Sequence, residues 1–105
     1  MTDISLDKAF HALSDPLRLK IVESLQYTEY SVRDLCAHLG VSQSKLSFHL
    51  RVLKEAAIVR SRPHGRWNYY SLNLQKFAAL EQHLADLRRY AAAQPIPVYP
   101  SDPPK

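Results

Sequence analysis

Residues 31–53 read SVRDLCAHLGVSQSKLSFHLRVL, two amphipathic segments joined at a glycine. The apolar residues of the first segment recur at i, i+3, i+4 and i+7, which predicts a short helix, opened by Ser31, with one buried stripe: Val32, Leu35, Cys36 and Leu39. Gly40 suits the left-handed backbone conformation in which helices commonly end. We therefore expect the first helix to end at Gly40 and the chain to turn there.

The second segment begins at Ser42, whose hydroxyl can cap a helix. Three leucines at spacings of four and three form a narrow apolar stripe: Leu46, Leu50 and Leu53. The residues left on the other faces are mostly polar or basic: Gln43, Ser44, Lys45, Ser47, Phe48, His49 and Arg51. A short helix, a tight turn with a glycine and a second capped helix together predict a helix-turn-helix.

Two further helices are predicted before this motif. Residues 4–13 carry apolar side chains at helical spacing. Asp15 followed by Pro16 predicts the N-cap and the first residue of a second helix, because the missing N–H of proline is not needed there. The same periodicity predicts that Arg18 faces outward from the second helix.

After residue 57 the pattern changes from helical to β. Residues 58–62 and 67–72 are rich in β-branched and aromatic side chains, and the PHGR sequence at 63–66 is typical of a turn. These segments predict a β-hairpin. Asn73 is then predicted to cap a last helix that runs to about Ala93, with these apolar positions: Leu74, Phe77, Leu80, Leu84, Leu87 and Ala91.

The predicted fold is mainly α with a small β-hairpin, in the order helix, helix, helix, helix, hairpin, helix. This order is that of a winged helix-turn-helix. Residues 1–93 are expected to form one domain, and residues 94–105, which hold five of the seven prolines, an extended or disordered tail. The apolar stripes of the first and last helices have no obvious partner in so small a core, which favours a homodimer through these two helices.

The positive charge of the chain is concentrated in one block. Residues 43–66 hold six lysines and arginines and one glutamate, a net charge of +5, whereas the whole chain carries +4. A patch of this kind attracts a polyanion. An α-helix fits the major groove of DNA, which is about 12 Å wide. The alternative is a solvated charged face. Likewise, the hairpin arginines either contact DNA or discourage aggregation at a sheet edge.

The candidate DNA-contacting residues lie on the second helix of the motif and on the hairpin. They are Ser42, Gln43, Ser44, Lys45, Ser47, Phe48, His49, Arg51, Arg62, His64 and Arg66. Phe48 has two interpretations, because its ring could touch a thymine methyl or could pack in the core or against the hairpin. Double-stranded DNA is the expected partner.

Other classes of protein are disfavoured by the same sequence. The N-terminus carries acids where a signal peptide carries bases, and no apolar run is long enough to span a membrane, so we expect a cytoplasmic location without a membrane partner. One cysteine allows no disulfide within the chain. No phosphate-binding glycine loop or catalytic constellation is present, so we expect neither an enzyme nor a cofactor.

Three segments resemble the ArsR/SmtB family of transcriptional repressors: SDPLRLKIV at 14–22, QSKLSFHLRVL at 43–53 and GRWNYYSL at 65–72. The resemblance covers about residues 6–90. It implies a winged-helix dimer, built from the first and last helices, that binds an inverted-repeat operator. It also implies that the helix of 42–55 carries the base contacts, for which the matching residues are Gln43, Ser44, Ser47 and His49, with Arg66 on the wing.

The sequence departs from the metal sites of the family that it resembles. The two positions of the family's Cys-x-Cys arsenic site hold Ser31 and Arg33, and the matching positions of the last-helix site, 74, 76, 87 and 90, lack good ligands. No metal site is therefore expected, and the inducer is not identified.

Cys36, the pair His83 and Asp86, and the overall function each allow a second interpretation. Cys36 is either a buried structural residue or a redox or metalloid-responsive thiol. His83 and Asp86 could meet on one helix face and hold zinc across a dimer. A winged helix that serves protein–protein contact is the alternative function, since fold alone does not fix function.

Overall fold

The computed structural model of the chain describes residues 6–97. Over this range the helices and strands are, in order, α1 Leu6–Ala12, α2 Pro16–Leu25, β1 Tyr30–Ser31, α3 Val32–Leu39, α4 Gln43–Glu55, β2 Val59–His64, β3 Trp67–Leu72 and α5 Leu74–Ala93. The mainly helical winged helix-turn-helix is confirmed, with α3 and α4 as the motif and β2 and β3 as the wing. None of the described helices is long and apolar enough to cross a bilayer.

The helix starts follow the predicted caps, with one exception. The side chains of Asp15, Ser31 and Ser42 each accept a hydrogen bond from a backbone N–H in the first turn of their helix. Asn73 precedes α5 but makes no such bond. Asn73 is thus at the predicted N-cap position, but its side chain does not cap the helix. Its Nδ2 instead donates to the carbonyl of Ala57 at 2.9 Å, which ties the start of α5 to the end of α4.

The end of α4 has an unusual residue in a common motif. Ala57 has φ +60°, the left-handed region that favours glycine. Its N–H donates to the carbonyl of Lys54 at 3.0 Å, and the N–H of Ile58 donates to the carbonyl of Leu53 at 2.9 Å. These two bonds form a Schellman motif. Leu53 and Ile58, which the second of these bonds joins, are both fully buried, so the strained residue Ala57 lies next to the core.

A third strand, which the sequence analysis did not predict, completes the sheet. The strand order is β1-β3-β2, and both pairs are antiparallel. Tyr30 pairs with Tyr70, and Ser31 pairs with Tyr69. Because β1 leads directly into α3, this pairing brings the start of the helix-turn-helix against the wing.

The core lies between the helices and the inner face of the sheet. Its fully buried large side chains come from α2, α3, α4 and the chain that enters the wing: Ile21, Leu35, Leu46, Leu50, Leu53, Ile58 and Val59. The predicted stripes of α3 and α4 therefore face the core as expected. Residues 94–97 are exposed and belong to no helix or strand. The rest of the predicted tail, like residues 4 and 5 of the predicted first helix, lies outside the described residues, and the domain division stays a prediction.

Candidate nucleic-acid interface

The outer face of α4 presents polar and basic side chains to solvent. Leu46, Leu50 and Leu53 are buried on its inner face and anchor the helix to the core. The exposed residues of the predicted set are Gln43, Ser44, Lys45, Ser47, Phe48 and Arg51, with Ser42 exposed at the N-cap. Their side chains offer hydrogen-bond donors, acceptors and two cations along one helix. A helix with such a face can lie in the major groove.

Phe48 lies on this outer face, not in the core. Its side chain is 49% exposed, and the guanidinium carbon of Arg51 lies 5.6 Å from the ring centroid. The interpretation that packed Phe48 in the core is therefore wrong. The contact holds an apolar ring and a cation side by side on the exposed surface of α4.

His49 does not share that surface, and its predicted outward position is wrong. The residue is only 9% exposed, and its Nδ1 lies 3.1 Å from Nη1 of Arg18. Arg18, which was predicted to face outward, is also buried, and its Nε donates to the carbonyl of Ala12 at 2.7 Å. The two errors have a common cause, because the hydrogen bond between the two side chains offsets part of the cost of burying each of them. His49 thus joins α4 to α2 within the fold.

Asp15 lies beside this pair. Its Oδ2 accepts from the backbone N–H groups of Leu17 and Arg18, at 2.9 and 3.1 Å, and lies 3.9 Å from Nδ1 of His49. The N–H of Arg18 makes the largest contribution to lowering the pKa of the Asp15 carboxyl below its ordinary value. The carboxylate therefore fixes the start of α2 at the point where α2 meets α4.

Arg62, on the wing, is engaged by an acid within the chain. Its Nε and Nη2 donate to the two carboxylate oxygens of Glu29, at 2.9 and 2.6 Å, across the middle strand β3. The Arg62 guanidinium lowers the pKa of Glu29, and Glu29 raises the pKa of Arg62. The ring of Tyr69 lies 5.8 Å from the same guanidinium. A phosphate would have to compete with Glu29 for this side chain.

The tip of the wing carries the other two predicted residues. His64 ends β2 and pairs with Trp67, so Gly65 and Arg66 alone form the turn. Gly65 has φ +63°, as a tight hairpin turn requires. His64 and Arg66 are both exposed. Arg66 makes no hydrogen bond or ion pair with any other residue of 6–97, so its guanidinium is free to meet a ligand.

A cleft of about 260 Å³ joins the wing to the helix-turn-helix. Gln43, at the start of α4, and Arg66, at the wing tip, both line it. The other lining residues were not among the predicted DNA contacts, and they include Arg33 of α3 and Trp67 of β3. The signal that would have found them is the pairing of β1 with β3, which places α3 against the wing, but a two-residue strand leaves no periodic pattern.

The metal and thiol predictions concern other parts of the molecule. Cys36 is partly buried and packs against the core as part of the stripe of α3. Within residues 6–97, no three His, Cys, Asp or Glu side chains are close enough together to hold a metal ion. Asp86, from the proposed zinc alternative, pairs with Arg89, and the ring of His83 lies 6.1 Å from that of Phe10. These two side chains are thus engaged with other neighbours.

An apolar groove of about 560 Å³ runs between α1 and α5. It is lined by Phe10, Leu13, Leu74, Phe77, Ala78, Leu80, Glu81 and Leu84. Further along α5, Leu87 and Tyr90 are more than half exposed. The stripe predicted for α5 is therefore covered by the core at Phe77 and Leu80 and exposed at Leu74, Leu84 and Leu87.

Comparison with known proteins places this geometry among bacterial regulators. Residues 15–61 match the family described as "Bacterial regulatory protein, arsR family". The chain is similar to the transcriptional repressor SdpR of Bacillus subtilis, with 35% identity over 68 residues that cover 65% of this chain and 76% of the relative. It is also similar to the HTH-type transcriptional regulator Rv2034 of Mycobacterium tuberculosis, with 41% identity over 80 residues, 76% of this chain and 75% of that one.

Solved structures of transcriptional regulators share this fold. An ArsR-like transcriptional regulator from Rhodococcus sp. RHA1 superposes with a TM-score of 0.75 at 29% identity, over 84% of this chain and 88% of that chain. These relatives are regulators of transcription, not enzymes.

Proposed function

This chain belongs to the ArsR family of bacterial regulatory proteins, and from that premise we propose that it represses transcription by binding an inverted-repeat operator as a homodimer. The observation that carries the proposal is the shared cleft of Gln43 and Arg66. Because α4 and the wing tip border one cleft, a duplex in contact with the outer face of α4 is also within reach of the wing. A repressor of this kind acts in the cytoplasm, where the bacterial chromosome lies.

The residues proposed to contact DNA divide by their chemistry. Gln43, Ser44, Ser47 and Phe48 offer amide, hydroxyl and apolar groups, which suit base edges and the thymine methyl. Lys45, Arg51 and Arg66 offer cations, which suit phosphates. His64 and Arg62 extend this surface along the wing. Arg62 can contact DNA only after its hydrogen bonds to Glu29 break. His49 has a supporting role, since its bond to Arg18 holds α4 in place.

The apolar groove between α1 and α5 supports the homodimer. A second copy that packs on this groove and on Leu84 and Leu87 would cover side chains that one subunit leaves in water. A two-fold axis there would present two copies of α4, which matches the two half-sites of an inverted repeat.

The thiol chemistry supports no arsenic sensing. Trivalent arsenic binds several soft thiolates, and each subunit offers one, Cys36, which is packed beside the core. We propose that Cys36 is structural. Titration of the protein on DNA with arsenite, zinc and an oxidant tests this, because release of DNA by wild type, but not by Cys36→Ser, would make Cys36 a sensor.

The DNA-binding proposal is tested with duplexes from the region upstream of the chain's own gene. We expect specific binding whose affinity falls by about 10³ to 10⁵ between 50 and 200 mM salt if six to ten phosphates are contacted. Arg51→Ala and Arg66→Ala should weaken binding, whereas Lys20→Ala, which removes a cation from the exposed side of α2, should weaken it much less. Binding by wild type that these two arginine variants leave unchanged would favour a protein–protein module.

A further inference from the structure

The cleft between α3, α4 and the wing has cationic side chains on its lining. Its lining includes two arginines, Arg33 and Arg66, and none of its described lining residues is acidic. Gln43, Trp67 and Asn68 add side-chain N–H donors. A concave site with two guanidinium groups and several neutral donors is complementary to an oxyanion.

Arg33 is held in this cleft by an aromatic contact. Its guanidinium carbon lies 5.7 Å from the centroid of the Trp67 ring. Like that of Arg66, its side chain makes no hydrogen bond or ion pair with another residue of 6–97. A guanidinium that lies over a ring can keep N–H groups available, and it loses less freedom on binding than a side chain without such a contact.

We infer that Arg33 and Arg66 form a clamp for one phosphate of the DNA backbone, with Trp67 as the platform that positions Arg33. This inference rests on the proposed function and deepens it, since it adds a contact from α3 that does not read sequence. The cleft adjoins the first residue of α4, so the phosphate would flank the bases that α4 meets. The bidentate fork of arginine suits two phosphate oxygens.

The clamp makes a quantitative prediction about salt. Each phosphate contact contributes about 0.9 to the slope of log affinity against log salt concentration. Arg33→Gln should lower the slope by as much as about 0.9 for each subunit, less to the extent that Arg66 alone keeps the phosphate contact, and it should weaken binding to the operator and to an unrelated duplex of equal length by the same factor. Arg33→Lys should keep most of the slope, because it keeps the positive charge. Lys20→Gln is the matched control: it removes one positive charge from α2 and should leave the slope nearly unchanged.

The single tryptophan of the chain supplies a second readout. Trp67 emission should shift when a duplex binds wild type, and the shift should be smaller in Arg33→Gln. Equal salt slopes for wild type and Arg33→Gln would overturn the clamp and leave DNA binding intact. A loss confined to the operator would also overturn it, because it would indicate base reading. Failure of wild type to bind either duplex would overturn both proposals.

Discussion

Nη1 of Arg18 lies 3.1 Å from Nδ1 of His49, and both side chains are buried between α2 and α4. Arginine can only donate, so this hydrogen bond requires the unprotonated Nδ1 of His49 as its acceptor. The pair replaces, within the fold, the contact with a base that the sequence suggested for His49.

The first prediction is that His49 contributes to stability. His49→Ala leaves a buried N–H of Arg18 without an acceptor, which should cost about 1–3 kcal/mol of unfolding free energy. Urea denaturation measures this cost. His49→Asn should recover part of it, since its amide can place an acceptor near the Nδ1 position, and Ser47→Ala, on the exposed face, should change little. A stable His49→Ala protein with altered base preference would refute this role.

Much of the fold follows from the sequence because short-range rules govern it. The spacing of the leucines in α4 and the capping residues Asp15 and Ser42 depend only on neighbours a few positions away. The burial of His49 and Arg18 was not predicted, because each forms its buried hydrogen bond with a residue 31 positions away. Local periodicity carries no information about such a pair.

The same reasoning explains what was found and missed at the site. The exposed residues of α4 were predicted because they are what remains when the buried stripe is removed. Arg33 and Trp67 were missed because their meeting depends on the pairing of β1 with β3, a contact between distant segments. The bond from Arg62 to Glu29 depends on the same strand order.

The second prediction concerns the pH dependence of stability through Asp15. Hydrogen bonds at the start of α2 lower its pKa in the folded state below the ordinary value of 3.8. The carboxylate therefore stabilises the fold above pH 3.8, and this contribution is lost as the pH falls from 3.8 through the folded-state pKa. Asp15→Asn keeps a good cap but removes the titrating charge.

Urea midpoints for wild type and Asp15→Asn measure this effect. We expect wild type to be the more stable at neutral pH and the two midpoints to converge at low pH. A difference between them that does not change with pH would show that the charge of Asp15 makes no contribution.

The third prediction concerns the strained residue at the end of α4. A left-handed conformation costs a residue with a side chain about 1–2 kcal/mol, and glycine avoids this cost but gains freedom in the unfolded chain. Ala57→Gly should therefore raise stability, by up to about 1 kcal/mol. Gly40→Ala is the matched opposite, since Gly40 has φ +68° and open space around it, so it should be destabilising through the backbone alone. Thermal unfolding that moved in the same direction for both variants would contradict the argument.

The fourth prediction concerns the acid that holds Arg62. Glu29→Gln weakens the bond to the Arg62 guanidinium and leaves it available for a phosphate. DNA affinity should rise, and the slope of log affinity against log salt should steepen by as much as about 0.9 for each subunit. Glu23→Gln, an exposed acid of α2, changes the net charge equally and is the control. Equal gains in both variants would assign the effect to net charge alone.

The fifth prediction tests the surface proposed to join two subunits. Leu84 lines the groove between α1 and α5 and is 53% exposed in one chain. Leu84→Glu would bury an unpaired carboxylate in the dimer, at a cost of about 3 kcal/mol or more, so the dimer should dissociate at concentrations on the order of 100-fold higher than for wild type. Sedimentation velocity measures this change.

Gln82→Glu provides the control for this experiment. It places the same charge on α5, but two residues away, which is 200° around the helix and so on the opposite side. We expect it to remain a dimer. Loss of operator binding in parallel with loss of the dimer would show that two copies of α4 act together, because one subunit holds only one half-site. A Leu84→Glu protein that stays dimeric would place the subunit contact on another surface.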